Sequence, residues 1–447
     1  MTNVVIILIS GLMLLLAILS YIQSGGILTI TFLVMFYILF LFLGSLQFYF
    51  SEGHLTFLLI FIAALFYFIG IIAINGKLKF NFRKYVGRQI KVHTKLNASI
   101  LKLALILSTV ILIYVQLLAI PERLSTIFAG EFYHPTALPA AETLKGEFLN
   151  VSGLQGLFVI FLIAYLVYIY KKQPIFKRIA FLSLLFYFVF SLSTGAKKDA
   201  IFPFLYWLVS DFYINKKVDR RKVAVSIALV SVSILFVGYF WVKKEVNGLT
   251  FSAIKLYYSR MTYWSVNTFD YMLYNYFPYY PYQYGNTLLL EIRRIFSQIT
   301  LAPKMALFNE IIGNMMAGVT YSHANELIFQ ASPELTIFGM FYANFGILGT
   351  IFGSLFLGIF TQWLNIFLLS RKSSSVFCET FLIMLMLNVI GYCRSGNLLM
   401  VIESYLIQVL PVTILLTLIY LILYLPMANK ISKHIKNISL GVMNYER

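Results

Sequence analysis

Apolar runs of about 20 residues recur from one end of the chain to the other, separated by short polar or charged links. Val4 to Ile22 and Gly26 to Phe50 set the pattern. About 20 apolar residues in succession is what an α-helix needs to cross hydrocarbon. The pattern predicts spanning helices at about 4–22, 27–50, 55–75, 103–120, 151–170, 179–194, 200–214, 223–242, 346–370, 376–393 and 404–426. The expected fold is an all-α polytopic integral membrane protein with about 11 transmembrane helices. Alternating segments of about 10 residues, the mark of a membrane β-barrel, are absent. The first run has neither a basic flank nor a small-residue cleavage site, so it reads as a retained helix rather than a signal peptide.

One region breaks the rhythm. Residues 243–345 form a long loop inside an otherwise single transmembrane domain, 1–447. The loop predicts amphipathic helices of its own, at Phe251–Tyr274 and Asn286–Phe296, interrupted by Pro278 and Pro281. Tyr257, Tyr258, Tyr263, Tyr271, Tyr274, Tyr276 and their neighbours make it rich in rings, suited to headgroup anchoring or to stacking on sugars. A loop this long with its own secondary structure is usually functional. It ends in a polar stretch from Tyr321 that passes into apolar helix by Phe360, with Gly346, Gly349, Gly353 and Gly358 at close-packing spacing.

Composition agrees with the pattern: 60% of residues are hydrophobic and 12% charged. A soluble protein carries about 25% charged residues. The net charge of +18 would suggest nucleic acid in a soluble domain, but its distribution here speaks to orientation instead. Segments 77–102, 171–178, 215–222, 371–375 and 427–447 hold 23 of the 35 lysines and arginines and only Asp219 and Glu446 as acids. The positive-inside rule makes these cytoplasmic, so the C-terminus is inside and the N-terminus outside. The dense basic run 77–102 reads as a solvated segment facing anionic lipid. Cys378 and Cys393 fall in one expected helix and read as packing residues. No CxxC or HExxH spacing supports a metal, and no P-loop or paired-carboxylate motif supports a nucleotide or nucleotide-sugar enzyme.

The candidate chemistry lies on the other side. Lys197 and Lys198 follow Ser193-Thr194-Gly195 between two helices. Arg260 sits on an aromatic segment with Asp270 ten residues on, Arg293 and Arg294 follow Glu291, and Arg394 ends an apolar helix. Each cation alone can snorkel to headgroups. Together, on the face where basic residues are depleted, they suit a pyrophosphate, which arginine grips by bidentate charge-assisted bonds. His323 and Glu334 are candidates for proton transfer at a sugar hydroxyl. The plainer roles are a structural hydrogen bond for His323 and a helix cap for Glu334. Asp211 and Glu379 read as interface or packing residues.

Ser193-Thr194-Gly195 with the lysine pair, the long loop with Arg260 and Asp270, SPELTIFGMFYANFGILG, and Arg394-Ser395-Gly396 occur in that order on one side. In this the chain resembles the bacterial O-antigen or oligosaccharide repeat-unit polymerases (Wzy-type). Lysines stand where that family often has arginine, and residues before about 190 match in hydropathy alone. The resemblance implies a GT-C-like architecture and a metal-independent glycosyltransferase without cofactors. It implies multi-pass residence in the bacterial cytoplasmic membrane. The substrates would be undecaprenyl-pyrophosphate-linked oligosaccharides, with membrane lipids, a flippase and a chain-length regulator as partners and no nucleic acid. Lys197, Lys198, Arg260 and Arg394 would hold the pyrophosphate; His323 or Glu334 would serve the acceptor. Two other functions remain open: a ligase moving finished glycan, and a flippase or transporter of a lipid-linked glycan.

Overall fold

The computed structural model describes residues 3–49, 54–94, 96–128, 153–193, 197–242, 266–300, 306–320, 335–397, 399, 401–402 and 405–443. It is a helical membrane protein. The first eight helices are α1 (Asn3–Ser24), α2 (Ile30–Tyr49), α3 (His54–Leu78), α4 (Ala98–Phe128), α5 (Gly153–Lys171), α6 (Pro174–Ser193), α7 (Lys197–Asn215) and α8 (Arg220–Val242). The long loop contributes α9 (Asn286–Thr300) and α10 (Phe308–Met316). The chain finishes with α11 (Thr336–Ser370), α12 (Val376–Ser395) and α13 (Leu410–Met443). Among the described residues, six helices are long and apolar enough to cross a membrane. Helix is the form these runs must take, because hydrocarbon offers no partner for a backbone N–H or C=O left unpaired.

Helix α3 packs along α11 through glycine. A Cβ on Gly358 would strike the Tyr67 carbonyl, and one on Gly70 would strike the Leu355 carbonyl. Small residues on both helices let the backbones touch. Beside this seam runs a buried polar ladder. The Asn75 amide donates to the Gln23 carbonyl at 3.0 Å, and Gln362 Nε2 donates to Asn75 Oδ1 at 2.6 Å. Thr31 Oγ1 donates to Gln362 Oε1 at 2.8 Å, and Tyr213 donates to Asn365 Oδ1 at 2.8 Å. Tyr67 meets Thr361 Oγ1 at 2.8 Å. The ladder fixes the α1–α2 turn against α3, α7 and α11.

The connecting segments assort by end. Strand β1 (Lys91–His93) pairs in parallel with β2 (Ser373–Ser375), Lys91 opposite Ser373. The Gly87 N–H donates to the Lys216 carbonyl at 2.9 Å, and Ile90 N–H to Ile214 at 3.3 Å. These residues belong to the basic segments, and they gather at one end. At the opposite end Thr56 bonds Asp270, Gln283 N–H bonds the Ala343 carbonyl, and Glu291 bonds Leu399. The two-stranded pair is a small departure from an all-α fold.

Helix α11 differs most from expectation. The pattern starts this span at about 346, and the long arm after the break agrees. The helix itself begins at Thr336, and Phe345 and Gly346 break it with φ/ψ of −140/19 and 63/−143. Gly346 holds a conformation nearly closed to other residues. The chain reverses there. A Cβ on Gly349 would strike the Phe341 carbonyl, and one on Gly353 would strike the Phe341 ring. In a straight helix Phe341 and Gly349 would stand about 12 Å apart along the axis. The result is a hairpin with a short arm, 336–345, folded against a long arm, 347–370. The short arm is buried along nearly its whole length.

Candidate functional site

The hairpin is pinned by its neighbours in the long loop. Asn344 does most of this. Its Nδ2 donates to Thr287 Oγ1 at 2.6 Å and to the Met340 carbonyl at 2.8 Å, and its Oδ1 accepts the Gly285 N–H at 2.8 Å. The Tyr282 ring lies against Gly346. Tyr342 meets Phe269, Phe277 and Tyr282 edge-on, and Tyr276 packs on Phe277, Tyr280 and Phe308. Most of the described tyrosines between 271 and 284 therefore build the loop's own core. Tyr274, Tyr279 and Tyr284 are the outward ones, Tyr279 the most exposed at 79%.

Two predicted motifs meet at the base of the short arm. Gly396, at φ +85, closes α12, and a Cβ there would strike Met340 and the Thr336 carbonyl. Gly396, which follows Arg394 and Ser395 at the end of α12, thus abuts the first residues of α11. Leu335, bonded to Glu334 in the chain, is fully buried there. Helix α7 runs antiparallel beside α12, with Tyr206 OH 3.5 Å from the Leu387 carbonyl. By helical rise, Lys197 lies about 13 Å above Tyr206 and Arg394 about 10 Å above Leu387. Both positions reach the same end at similar height. The side chains of Lys197, Lys198 and Arg394, and residues Arg260, His323 and Glu334 entirely, lie outside the described residues.

Other polar groups stand around this base. Glu291 Oε2 accepts the Leu399 N–H at 2.7 Å. Asn397 is 5% exposed, and its Oδ1 has no hydrogen-bond partner among the described residues. Arg294 pairs with Glu310 at 3.4 Å, and Glu310 also takes the Leu307 N–H at 2.8 Å. Arg294 is therefore paired with a carboxylate, and Arg293 is exposed. Asp270 accepts from Thr56 Oγ1 at 2.5 Å. Burial raises its carboxyl above the ordinary value, and the Thr56 bond pulls the other way. Sequence reading passed over Asn397 and the inward role of Glu291. The signal was Thr287, Glu291 and Arg294 at i, i+4 and i+7 of one helix, a polar stripe that had to face something polar.

Chemically, this end offers a helix terminus carrying an arginine and a buried amide oxygen that lacks a hydrogen bond among the described residues. No group of three His, Cys, Asp or Glu residues among those described is placed to hold a metal ion. At the opposite end, Asp211 takes Lys222 at 2.6 Å and Tyr165 at 2.7 Å, and Arg371 meets Glu379 at 3.1 Å. Asp211 and Glu379 thus serve packing and interface roles. Compared with models of known families, with curated proteins and with solved structures, the chain has no match.

Proposed function

We propose that the chain is a polysaccharide polymerase of the cytoplasmic membrane, with eleven spans, a GT-C-like architecture and a cytoplasmic C-terminus. It joins undecaprenyl-pyrophosphate-linked oligosaccharide repeat units on the outer face, in the making of a bacterial surface polysaccharide. The observation that carries the reading is the contact of Gly396, two residues after Arg394, with the start of α11, two residues after Glu334 in the chain. Two motifs distant in sequence are neighbours in space, at the end of the bundle away from the basic segments.

In this reading an acceptor sugar hydroxyl attacks the anomeric carbon of the donor. The bond from that carbon to the pyrophosphate oxygen breaks, and undecaprenyl pyrophosphate leaves. Arg260 and Arg394, assisted by Lys197 and Lys198, hold the leaving group as its charge develops. His323 or Glu334 takes the hydroxyl proton. The test is incubation of the purified protein in liposomes with a defined undecaprenyl-pyrophosphate repeat unit. A ladder of products is expected, lost in Arg260→Ala and Arg394→Ala at normal protein levels. No ladder across several glycans, or an undiminished ladder in both variants, overturns the reading or its site.

One observation favours a second reading. A reversed helix at one end of the bundle, with a buried polar ladder toward the other, also suits a flippase or transporter of a lipid-linked glycan. Movement of a labelled lipid-linked glycan across the same liposomes, without any joining, would select it.

A further inference from the structure

Helix α9 is built inside out. Its buried positions are Thr287, Glu291, Arg294, Ile295 and Ser297, and four of those five are polar. Its exposed positions include Leu288, Leu289, Ile292 and Phe296, the last 61% exposed. At 3.6 residues per turn these four fall in one sector, opposite the buried one. A third, narrow sector holds Asn286, Arg293 and Thr300, exposed and polar, spaced seven residues apart along one edge. A helix in water would turn the apolar sector inward and the charged one outward.

We infer that α9 lies in the bilayer interface at the end of the bundle away from β1 and β2, with Leu288, Leu289, Ile292 and Phe296 among lipid chains. Three sectors fit three surroundings: protein behind, hydrocarbon on the outer face, headgroups along the edge of Asn286 and Arg293. Continuity supports lipid as the occupant. Asn344 holds the first turn of α9 on the hairpin tip, where the Tyr284 ring meets Phe345 at 6.5 Å. From Phe345 an exposed apolar row, Leu348, Phe352 and Phe356, runs down the long arm of α11, a helix apolar enough to cross a membrane. The first turn of α9, whose outer face is likewise apolar, joins the head of that row. An exposed arginine at the polar edge suits an anionic headgroup.

The consequence concerns depth. Glu291 and Arg294 project from the inner side of a helix lying at headgroup level, so their bonds to Leu399 and Glu310 are made at that level. The inference does not depend on the proposed reaction.

Nitroxide labelling tests it in the full chain, reconstituted in phosphatidylethanolamine–phosphatidylglycerol liposomes. Ile292→Cys and Phe296→Cys are compared with Asn286→Cys and Arg293→Cys in a Cys378→Ser background; Cys393 is buried and stays in place. Collisions with oxygen, which concentrates in hydrocarbon, are set against collisions with a water-soluble nickel chelate. The oxygen-to-nickel ratio is expected to be severalfold higher at 292 and 296 than at 286 and 293. Equal, nickel-favouring ratios at all four positions place α9 in water and overturn the inference. Low collision with both reagents at 292 and 296 overturns it too, because protein then covers the face. If the Phe296→Cys protein does not accumulate, Leu289→Cys on the same sector replaces it.

Discussion

At the strand-pair end of the bundle, cations close helix ends. Lys216 Nζ donates to the Leu369 and Arg371 carbonyls at 2.6 and 2.7 Å, where α11 stops. Lys222 holds Asp211, and Arg371 holds Glu379 and Ser374. At the hairpin end the polar groups are mostly amides and carboxylates turned inward: Asn344, Glu291, Glu310 and Asn397. Among the described residues the first end carries more charge, its cations set on carbonyls and carboxylates. Among those residues each end also keeps buried polar atoms without a hydrogen bond: Arg371 Nη1 and Glu379 Oε1 at the first, Asn397 Oδ1 at the second. Charge density along a sequence therefore does not locate chemistry. Cations at helix C-termini are favoured by the carbonyl ends and the dipole whatever else they do.

This contrast breaks most readily at Arg371. Glu379 is fully buried, and Arg371 is its ion-pair partner. Arg371→Met leaves a carboxylate without that cation and is expected to destabilise by about 3–5 kcal/mol. Thermal unfolding of the purified protein measures it, and adding Glu379→Leu should recover most of the loss. If Arg371→Met is neutral, the strand-pair end is not held by its ion pairs.

Next in size is the hairpin turn. Gly346→Ala places a side chain at φ +63 with the Tyr282 ring 3.1 Å from the new Cβ. The backbone strain alone is worth roughly 2 kcal/mol. Polymerisation in liposomes should fall further than stability does, if the short arm positions the Glu334 segment. Asn344→Ala comes after. It removes the acceptor of the Gly285 N–H and the donor to Thr287, for about 1–1.5 kcal/mol by loss of hydrogen bonds. Its oxygen collision ratio at residue 292 should also drop, because α9 loses its pin. A full-sized stability loss with unchanged depth would detach α9 from the hairpin in the argument above.

How much of this was legible in the chain depends on range. Apolar runs announce helices locally, so the helical membrane fold was plain. The reversal at Phe345–Gly346 was hidden because the sequence is apolar on both sides of it; only the glycines hinted. Gly346 turns the chain, Gly349 and Gly353 admit Phe341, and Gly358 admits α3, so one spacing covers three jobs. The strand pair joins three-residue pieces some 280 positions apart, and no local pattern marks them. Arg294 read as a site cation because its partner Glu310 sits on another helix. The motif order did bring Gly396 against Thr336 and Met340, whereas Arg260, His323 and Glu334, and the side chain of Arg394, fall outside the described residues.

The smallest expected effect sharpens the comparison through pH. Burial lowers the Lys216 amine to about 8; nearby Glu379 opposes this, and Arg88 and Arg371 add to it. Unfolded, the amine returns to about 10.4. Between these values the unfolded chain binds a proton that the folded chain has released, so stability rises with pH there and is flat below. Neutral lysine keeps two N–H donors for its two carbonyls, so deprotonation removes a buried charge without removing the cap. The stability difference between the native protein and Lys216→Met should therefore widen in the native protein's favour from pH 7 to 9. Solvent screening at the bundle end keeps the gain under about 1 kcal/mol. A difference that narrows over this range would mean that the charge itself holds the α11 terminus. The strand-pair end would then be an electrostatic clamp rather than a hydrogen-bonded cap.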